Sequence, residues 1–408
     1  MGVNRNFETG SDYPALISNA TQRLERNPRD VLALMERADA FMGLRDGESA
    51  LRDIDDCLEI ALSEPRLRGT ARQELLSQLY TLQSRALLGL GDGNGALDAV
   101  EEALRERASS VEALVQRGRI FRDFGDPRGA LEDFDAALAL DQNSVMAYIG
   151  RGMARYELQD YRGAIADYDR AIALHERDAV AWSNRGNAYF ALGDYDRAAQ
   201  DCHAALELDP RLIRAYEIVV YVYRQQNRHA EAVRVVAQGL EYQPDEPRLL
   251  VEAARLCLDK NKCQQTLSIA NKILRQQPDH SEAYALRGQS YGRTGDYAAA
   301  IADLRRATEL DPENGEHHFN LALAYLHSGD PTAAADTLER VLSLNPQDEE
   351  ALALYRRLTE ERGGAPDAEV SEQIPDEEPS QAEIYFARGE HKRAFKGLIR
   401  QLRTALYG

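Results

Sequence analysis

Five arginines in this chain are each followed, sixteen residues later, by an aspartate. A guanidinium can bind both oxygens of a carboxylate through two parallel hydrogen bonds, so this combination favours ion pairing. The spacing fits a hairpin of two helices, and we predict that each pair bridges the two helices of one hairpin. The pairs are Arg37 and Asp53, Arg117 and Asp133, Arg151 and Asp167, Arg185 and Asp201, and Arg287 and Asp303.

Both partners are present together or absent together wherever the same local pattern recurs. The four places without them hold Gln83 with Ala99, Val219 with Val235, Ala253 with Ile269, and Leu321 with Thr337. We therefore predict a structural role for these pairs. Truncating Asp167 alone should cost more stability than removing Arg151 and Asp167 together, because a partly buried charge without its partner destabilises the folded state most.

The sequence gives little indication of a catalytic or metal-binding site. Cys257 and Cys263 are six positions apart with no second cysteine pair, so we interpret them as buried thiols. His317 and His318 have no carboxylate or cysteine cluster at ligand spacing. The sequence shows no glycine-rich phosphate loop and no Ser/His/Asp arrangement. We predict a protein that is not an enzyme and that has no cofactor and no metal.

A 34-residue pattern recurs nine times and sets the positions of the paired residues. Each copy predicts two helices with a turn between them, because apolar residues recur at helical spacing on both sides of a Gly-Asp or similar break. In the copy at 179–212 the pattern residues are Trp182, Arg185, Gly186, Tyr189, Gly193, Asp194, Tyr195, Ala198, Ala205 and Pro210. The other copies begin at Val31, Ser77, Val111, Val145, Ile213, Pro247, Ser281 and Gly315.

This pattern resembles the tetratricopeptide repeat (TPR) in its order of large, small, aromatic, turn, alanine and proline positions. One hairpin cannot bury its apolar face alone, so neighbours must stack into a continuous core. The resemblance implies an all-α, right-handed superhelical solenoid of about nine helical hairpins plus capping helices.

The remaining segments flank or interrupt the repeats. We predict a tail and an orphan capping helix at 1–30, repeat one at 31–64, an insertion at 65–76, repeats two to nine at 77–348, a capping helix at 349–362, an acidic linker at 363–382, and a basic amphipathic helix or degenerate repeat at 383–408. The linker holds six acids and no base, whereas the last segment holds six bases and two acids.

Composition narrows the functional classes. A net charge of −19 argues against a general nucleic-acid binder, and no apolar run is long enough to span a membrane. Membrane-surface tethering by the basic segment is disfavoured because the segment lacks tryptophan and adjoins an acidic linker. Four scattered cysteines favour a reducing compartment, and we expect the cytoplasm. The excess of arginine over lysine indicates a bacterial coding sequence.

The TPR resemblance also implies a concave groove, lined by the first helix of each repeat, that holds a peptide of another protein. Groove positions contain about as many arginines as acids, so we expect a peptide with some negative charge. Ile149, Met153 and Ile218 occupy positions where a carboxylate clamp would need polar residues, which argues against such a clamp. The predicted peptide-binding residues are Tyr156, Asn184, Asn187, Phe190, Arg214, Tyr221 and Arg224.

The predicted function is that of a protein-interaction scaffold, adaptor or assembly factor. The alternative is a peptide-responsive sensor or regulator whose C-terminal segment is released when a peptide enters the groove. The oligomeric state and the identity of the partner stay open at this point.

Overall fold

Twenty α-helices make up the regular structure that the computed structural model describes, which covers residues 12–65 and 67–363. The helices fall into two compact units, one ending at Leu208 and the other beginning at Asp209. The first unit contains α1 (Tyr13–Arg26), α2 (Val31–Gly43), α3 (Gly47–Ser63), α4 (Gly69–Gly89), α5 (Gly93–Glu106), α6 (Val111–Asp123), α7 (Pro127–Leu140), α8 (Val145–Glu157), α9 (Tyr161–Leu174), α10 (Ala179–Ala191) and α11 (Tyr195–Leu208).

The second unit continues the alternation of first and second helices. It contains α12 (Ile213–Gln225), α13 (His229–Tyr242), α14 (Pro247–Asp259), α15 (Cys263–Gln276), α16 (Ser281–Thr294), α17 (Tyr297–Leu310), α18 (Gly315–His327), α19 (Pro331–Leu344) and α20 (Glu349–Gly363). Within each unit a helix packs against the next one along the chain. First helices also touch the first helices of neighbouring repeats, as α8 touches α10 and α14 touches α16.

A glycine followed by an aspartate turns the chain between the two helices of several hairpins. Gly125 and Gly295 have φ values of 78° and 84°, which glycine adopts without steric cost. The next residue then caps the second helix: a side-chain oxygen of Asp126 accepts the amide of Gly129 at 2.9 Å. These aspartates are therefore the N-caps of the second helices.

Small residues let the paired helices approach closely. A Cβ added at Gly186 would lie 2.8 Å from Cys202 Sγ and 3.1 Å from the backbone oxygen of Ala198. A Cβ at Gly152 would lie 2.7 Å from the Tyr168 ring. Because backbone and a buried ring cannot easily move aside, the glycine at this repeat position fixes the spacing between the helices.

The insertion after the first repeat is continuous with the following helix. α4 begins at Gly69, ahead of the predicted repeat start at Ser77, and is 21 residues long. Leu76 and Leu79 are buried in the same apolar cluster as Leu34 and Ile54 of the first hairpin. The longer helix therefore adds core to the first hairpin.

Helices flank the repeats at both ends. α1 packs on α2, and α20 packs on α19 through the buried side chains of Ala351 and Leu358. The N-terminal residues 1–11, the predicted acidic linker beyond Gly363 and the predicted basic segment 383–408 lie outside the described residues.

The five arginine–aspartate pairs each join the two helices of one hairpin. In every pair Nε and Nη2 of the arginine donate to the aspartate oxygens, at distances between 2.6 and 3.2 Å. The aspartates are only 2–8% exposed, whereas the arginines reach solvent with one edge. These hydrogen bonds raise the pKa of each arginine.

Most of these arginines make a further bond that the sixteen-residue spacing did not predict. Nη1 of Arg151 donates to Asp135 at 2.7 Å, and Nη1 of Arg185 donates to Asp169 at 2.6 Å. The second acceptor lies sixteen residues before the arginine, on the second helix of the preceding hairpin. One guanidinium therefore ties three helices together.

Candidate peptide-binding face

The surface that first helices form within each unit is the candidate binding face, called here the first-helix face. In the first unit it includes α8 and α10, and in the second unit α12, α14, α16 and α18. Four of the predicted peptide-binding residues lie on this face in the first unit and three in the second. The first set is Tyr156, Asn184, Asn187 and Phe190; the second is Arg214, Tyr221 and Arg224.

Tyr156 and Phe190 occupy equivalent positions on α8 and α10 and pack in the same way. The Tyr156 ring lies 5.1 Å from that of Tyr161, and the Phe190 ring lies 5.6 Å from that of Tyr195, in tilted arrangements. Tyr156 also packs on the buried ring of Tyr168 and its neighbours. Both rings are half-buried, so they support the hairpin and present one edge outward.

Asn184 has an unsatisfied polar group in the first unit. Its Nδ2 atom is buried and has no hydrogen-bond partner among the described residues. Leaving a buried donor unpaired costs about 1–3 kcal/mol, and such groups are rare in folded proteins. Asn187 follows one turn later on the same face of α10, so two side-chain amides are neighbours on this face.

Two exposed apolar residues lie on the same side of the first helices as these amides and are not among the predicted binding residues. Val180 precedes Asn184 by one helical turn, and Met146 holds the equivalent position on α8. Each is 46% exposed. Their position as the second residue of a first helix was the available signal, because that position faces the same side as Asn184 and Asn187.

In the second unit the predicted arginines are held by acidic side chains. Arg224 Nε donates to Asp259 at 3.0 Å, and its Nη1 lies 3.9 Å from Glu252. Arg214 lies 3.4 Å from Glu217, and Tyr221 is exposed between them along α12. An acidic peptide would therefore compete with carboxylates of the chain itself.

These contacts extend into a network across three first helices. Glu252 on α14 accepts from Arg255 at 3.1 Å, and Arg255 also reaches Glu282 on α16 at 3.0 Å. Glu252 is buried, and desolvation raises its pKa, although Arg255 and Arg224 oppose the shift. Basic and acidic side chains alternate along this network. Their ion pairs hold the side chains of the face in place, and its net charge is small.

Two of the four buried cysteine thiols are kept protonated by their surroundings. Burial raises the pKa of the Cys57 thiol to about 12 and that of Cys257 to about 11, so both stay protonated. Cys257 and Cys263 are both buried free thiols. Within residues 12–65 and 67–363, no three His, Cys, Asp or Glu side chains converge as metal ligands. The helices of this part of the chain are also too short or too polar to cross a membrane.

Two solved structures with TM-scores above 0.5 share the arrangement of helices. The chain is similar to the Cut9–Hcn1 hetero-tetramer of the APC/C, with 15% identity, a TM-score of 0.54, and coverage of 85% of this chain and 82% of that one. It is also similar to a tetratricopeptide repeat protein from Parabacteroides merdae, with 20% identity, a TM-score of 0.51, and coverage of 61% and 98%. MamA is 29% identical over 40% of this chain and 94% of its own, with a TM-score of 0.36.

Sequence models of tetratricopeptide repeats match most of the described chain. The matches cover residues 81–145 and 285–349, 152–193, 179–212, and 223–289. The predicted all-α repeat fold is confirmed by these matches and by the helices themselves. The chain therefore belongs to the tetratricopeptide repeat family, whose members are in general non-enzymatic scaffolds for protein–protein interaction.

Proposed function

We propose that this protein is a non-enzymatic adaptor whose first-helix face holds a segment of a partner protein. The observation that carries the proposal is the unpaired Nδ2 of Asn184. Because this atom is buried, a backbone carbonyl of a bound peptide would accept from it once the Asn184 side chain rotates outward, and the penalty of leaving it unpaired would be removed. Asn187 beside it can donate and accept in the same way.

The apolar neighbours supply contact area for side chains of the same peptide. Val180 and Met146 are the most exposed apolar side chains of α10 and α8, and Phe190 presents a ring edge nearby. Aromatic anchors dominate binding energy at such faces, and the aliphatic contacts around them exclude water. The first unit is therefore proposed to bind an extended segment with alternating apolar side chains.

In the second unit, Arg214, Tyr221 and Arg224 are proposed to bind a partner segment with some negative charge. Such a segment would displace Asp259 from Arg224, which limits the gain from each new ion pair. We place this activity in the cytoplasm, where the four free cysteines stay reduced.

The test is affinity purification of the full-length protein from its own cells, followed by quantitative mass spectrometry. The variant pair Asn184→Ala with Asn187→Ala tests the first unit. Its matched control is Asn94→Ala with Asn143→Ala, because these asparagines are exposed away from first-helix positions. We expect one partner to be lost from the first variant alone, with affinity about five- to tenfold weaker for each lost hydrogen bond.

The variant pair Arg214→Glu with Arg224→Glu tests the second unit. The control Arg211→Glu with Arg234→Glu changes the net charge equally at exposed positions outside the face. Identical partner lists for face variants and controls would exclude the first-helix face as the binding site. A thermal melt of each variant separates lost binding from lost folding.

The alternative function is that of a peptide-responsive regulator with a releasable C-terminal segment. It differs from a constitutive adaptor in requiring a binding site for residues 383–408 on the repeats.

A further inference from the structure

An arginine without a partner lies on the first-helix face of the first unit. Arg119 on α6 is exposed and forms no hydrogen bond or ion pair with any residue that the structure describes. It is the ninth residue of its repeat, as Asn187 is on α10. Because α6 touches α8 and α8 touches α10, these two side chains hold equivalent positions on the same face.

A counterpart in the second unit shows which partners hold an arginine at the ninth repeat position. Arg255 is bound to Glu252, three residues earlier on α14, at 3.1 Å and to Glu282 on α16 at 3.0 Å. The corresponding positions around the unpaired arginine hold Gln116 and Met146, which carry no charge. The arginine of the first unit therefore lacks both carboxylates.

The preceding repeat supplies a like charge where Arg119 would need an acid. Arg85, the ninth residue of that repeat, reaches back to Asp39, the ninth residue of the first repeat, at 3.5 Å. The residue to which Arg119 would reach back in the same way is Arg85 itself. The two guanidinium groups repel each other, so this row of positions leaves Arg119 without an internal acceptor.

Surrounding side chains desolvate Arg119 without neutralising its charge. Desolvation lowers the pKa of Arg119, and the like charges of Arg85 and Arg122 lower it further. Asp123, one turn later on α6, opposes this shift but forms no ion pair with Arg119. A side chain that is exposed and yet desolvated lies in a concave part of the surface. Arg85 has a carboxylate partner and Arg122 donates to Glu157 at 2.6 Å, so of these three arginines Arg119 is the one left to bind a further anion.

We propose that Arg119 binds the carboxylate of an acidic side chain in the partner segment. The inference rests on the proposed function, since the partner segment must lie along the first-helix face for its side chain to reach α6. A guanidinium donates two parallel hydrogen bonds to a carboxylate, and the donors of Arg119 have no acceptor among the described residues. One uncompensated positive charge matches a singly charged carboxylate, whereas a phosphate group would bring close to two negative charges beside Asp123.

The spacing of the first helices sets where the acidic residue falls in the partner segment. Packed helices lie about 8–10 Å apart, so the two steps from α6 to α10 cover roughly 20 Å. An extended chain advances about 3.3 Å per residue, which places the acidic residue about six residues from the part that contacts Asn184 and Asn187. Met153, the ninth residue of its repeat on α8, lies between and offers apolar surface to the intervening residues.

Selection of peptides by the full-length protein tests the proposal without knowledge of the partner. The probe is a phage library of random 16-residue peptides. We expect the wild type to enrich peptides with an acidic residue about six positions from an apolar stretch. Arg119→Gln should keep the apolar preference and lose the acidic one. The matched control is Arg128→Gln, which removes the same charge from an exposed position on α7 of the same repeat and should keep both preferences.

A double-mutant cycle across the interface then measures the contact itself. The most enriched peptide is synthesised with its acidic residue and with the corresponding amide, and fluorescence anisotropy gives the affinity of each protein for both peptides. The amide should weaken binding about tenfold for the wild type and for Arg128→Gln, because a charge-assisted hydrogen bond is lost. For Arg119→Gln the two peptides should bind within about twofold of each other.

The outcomes separate this inference from the proposed function. Enriched peptides without an acidic residue, or an acidic preference that survives Arg119→Gln, would overturn the inference and leave the first-helix face as the binding site. Failure to enrich any peptide that Asn184→Ala with Asn187→Ala or Arg119→Gln weakens would overturn the proposed function, and the inference with it.

Discussion

Four of the five paired arginines bond to side chains on two other helices. The sequence pattern located the aspartate of each sixteen residues later, and the structure adds an acceptor sixteen residues earlier for several of them. Arg151 illustrates the consequence: it binds Asp167 and Asp135, and Arg155 also donates to Asp167 at 2.7 Å. Removing Asp167 therefore leaves Arg155 without its carboxylate and Arg151 with Asp135 alone. A double substitution at Arg151 and Asp167 removes the partner of Arg155 and that of Asp135 as well.

Arg117 and Asp133 form the better pair for measuring the coupling, because the hydrogen bonds described for their side chains are those between the two. We expect Asp133→Ala to lower the free energy of unfolding by about 2 kcal/mol, since Arg117 keeps some access to water. Arg117→Ala with Asp133→Ala should cost less than Asp133→Ala alone. Urea denaturation of the three variants, including Arg117→Ala, measures the double-mutant cycle.

The control for this cycle is the pair Arg105 and Glu101, whose side chains are 63% and 42% exposed. Its coupling energy should be about 0.5 kcal/mol or less. Additive losses at Arg117 and Asp133 would show that burial of this pair creates no coupling, and the structural role assigned to the pairs would then be wrong.

Among the helices, α18 contains the residue most at odds with its repeat position. His317 is 2% exposed and neither ring nitrogen has a hydrogen-bond partner among the described residues. Six of the other eight repeats place alanine at this position, as at Ala147 and Ala283. Burial lowers the pKa of His317 from its ordinary value of 6.5, although Glu282, Asp311 and Glu316 oppose the shift and His318 adds to it.

This lowered pKa predicts that α18 weakens in mild acid. Above pH 6.5 the imidazole is neutral in both states and stability is unaffected. As pH falls below 6.5, the unfolded state takes up the proton first, so stability is lost until the folded pKa is reached. Between pH 7.5 and 5 the wild type should lose up to about 1 kcal/mol more of its free energy of unfolding than His317→Ala loses.

Thermal melts of the wild type and His317→Ala across this pH range measure the effect. His175→Ala, which removes an imidazole from an exposed position of another repeat, is the matched control. A His317→Ala profile parallel to that of the wild type would mean that the buried imidazole does not titrate during unfolding.

At the scale of the whole molecule, stability should be local, because each repeat contacts its neighbours alone. Leu358 on α20 is buried against the last hairpin. Leu358→Asp places an unpaired charge there and should lower the amide protection of α18–α20 about tenfold or more. Protection of α2–α5 should stay unchanged. Hydrogen exchange with mass spectrometry measures both regions.

The control for this experiment is Arg356→Asp, since Arg356 is an exposed residue of the same helix. It should leave protection unchanged throughout. Equal loss of protection in α2–α5 after Leu358→Asp would show that the described chain unfolds as one cooperative unit.

The sequence by itself determined the family, the helical hairpins and the position of the turns. The information is local: a glycine that tolerates positive φ, a capping aspartate, and small residues at each close approach recur every 34 residues. It also located the arginine–aspartate pairs, because both partners belong to one hairpin and therefore keep a constant spacing.

The tertiary structure decided the properties that depend on neighbouring repeats. From the sequence alone, Arg224 is expected to be available to a bound peptide. In the structure Asp259, 35 residues later, binds it. The unpaired amide of Asn184 and the buried ring of His317 likewise follow from how adjacent helices stack. Burial and hydrogen bonding between repeats depend on several side chains at once, so a repeat pattern predicts the scaffold and leaves the chemistry of its surfaces to the packed structure.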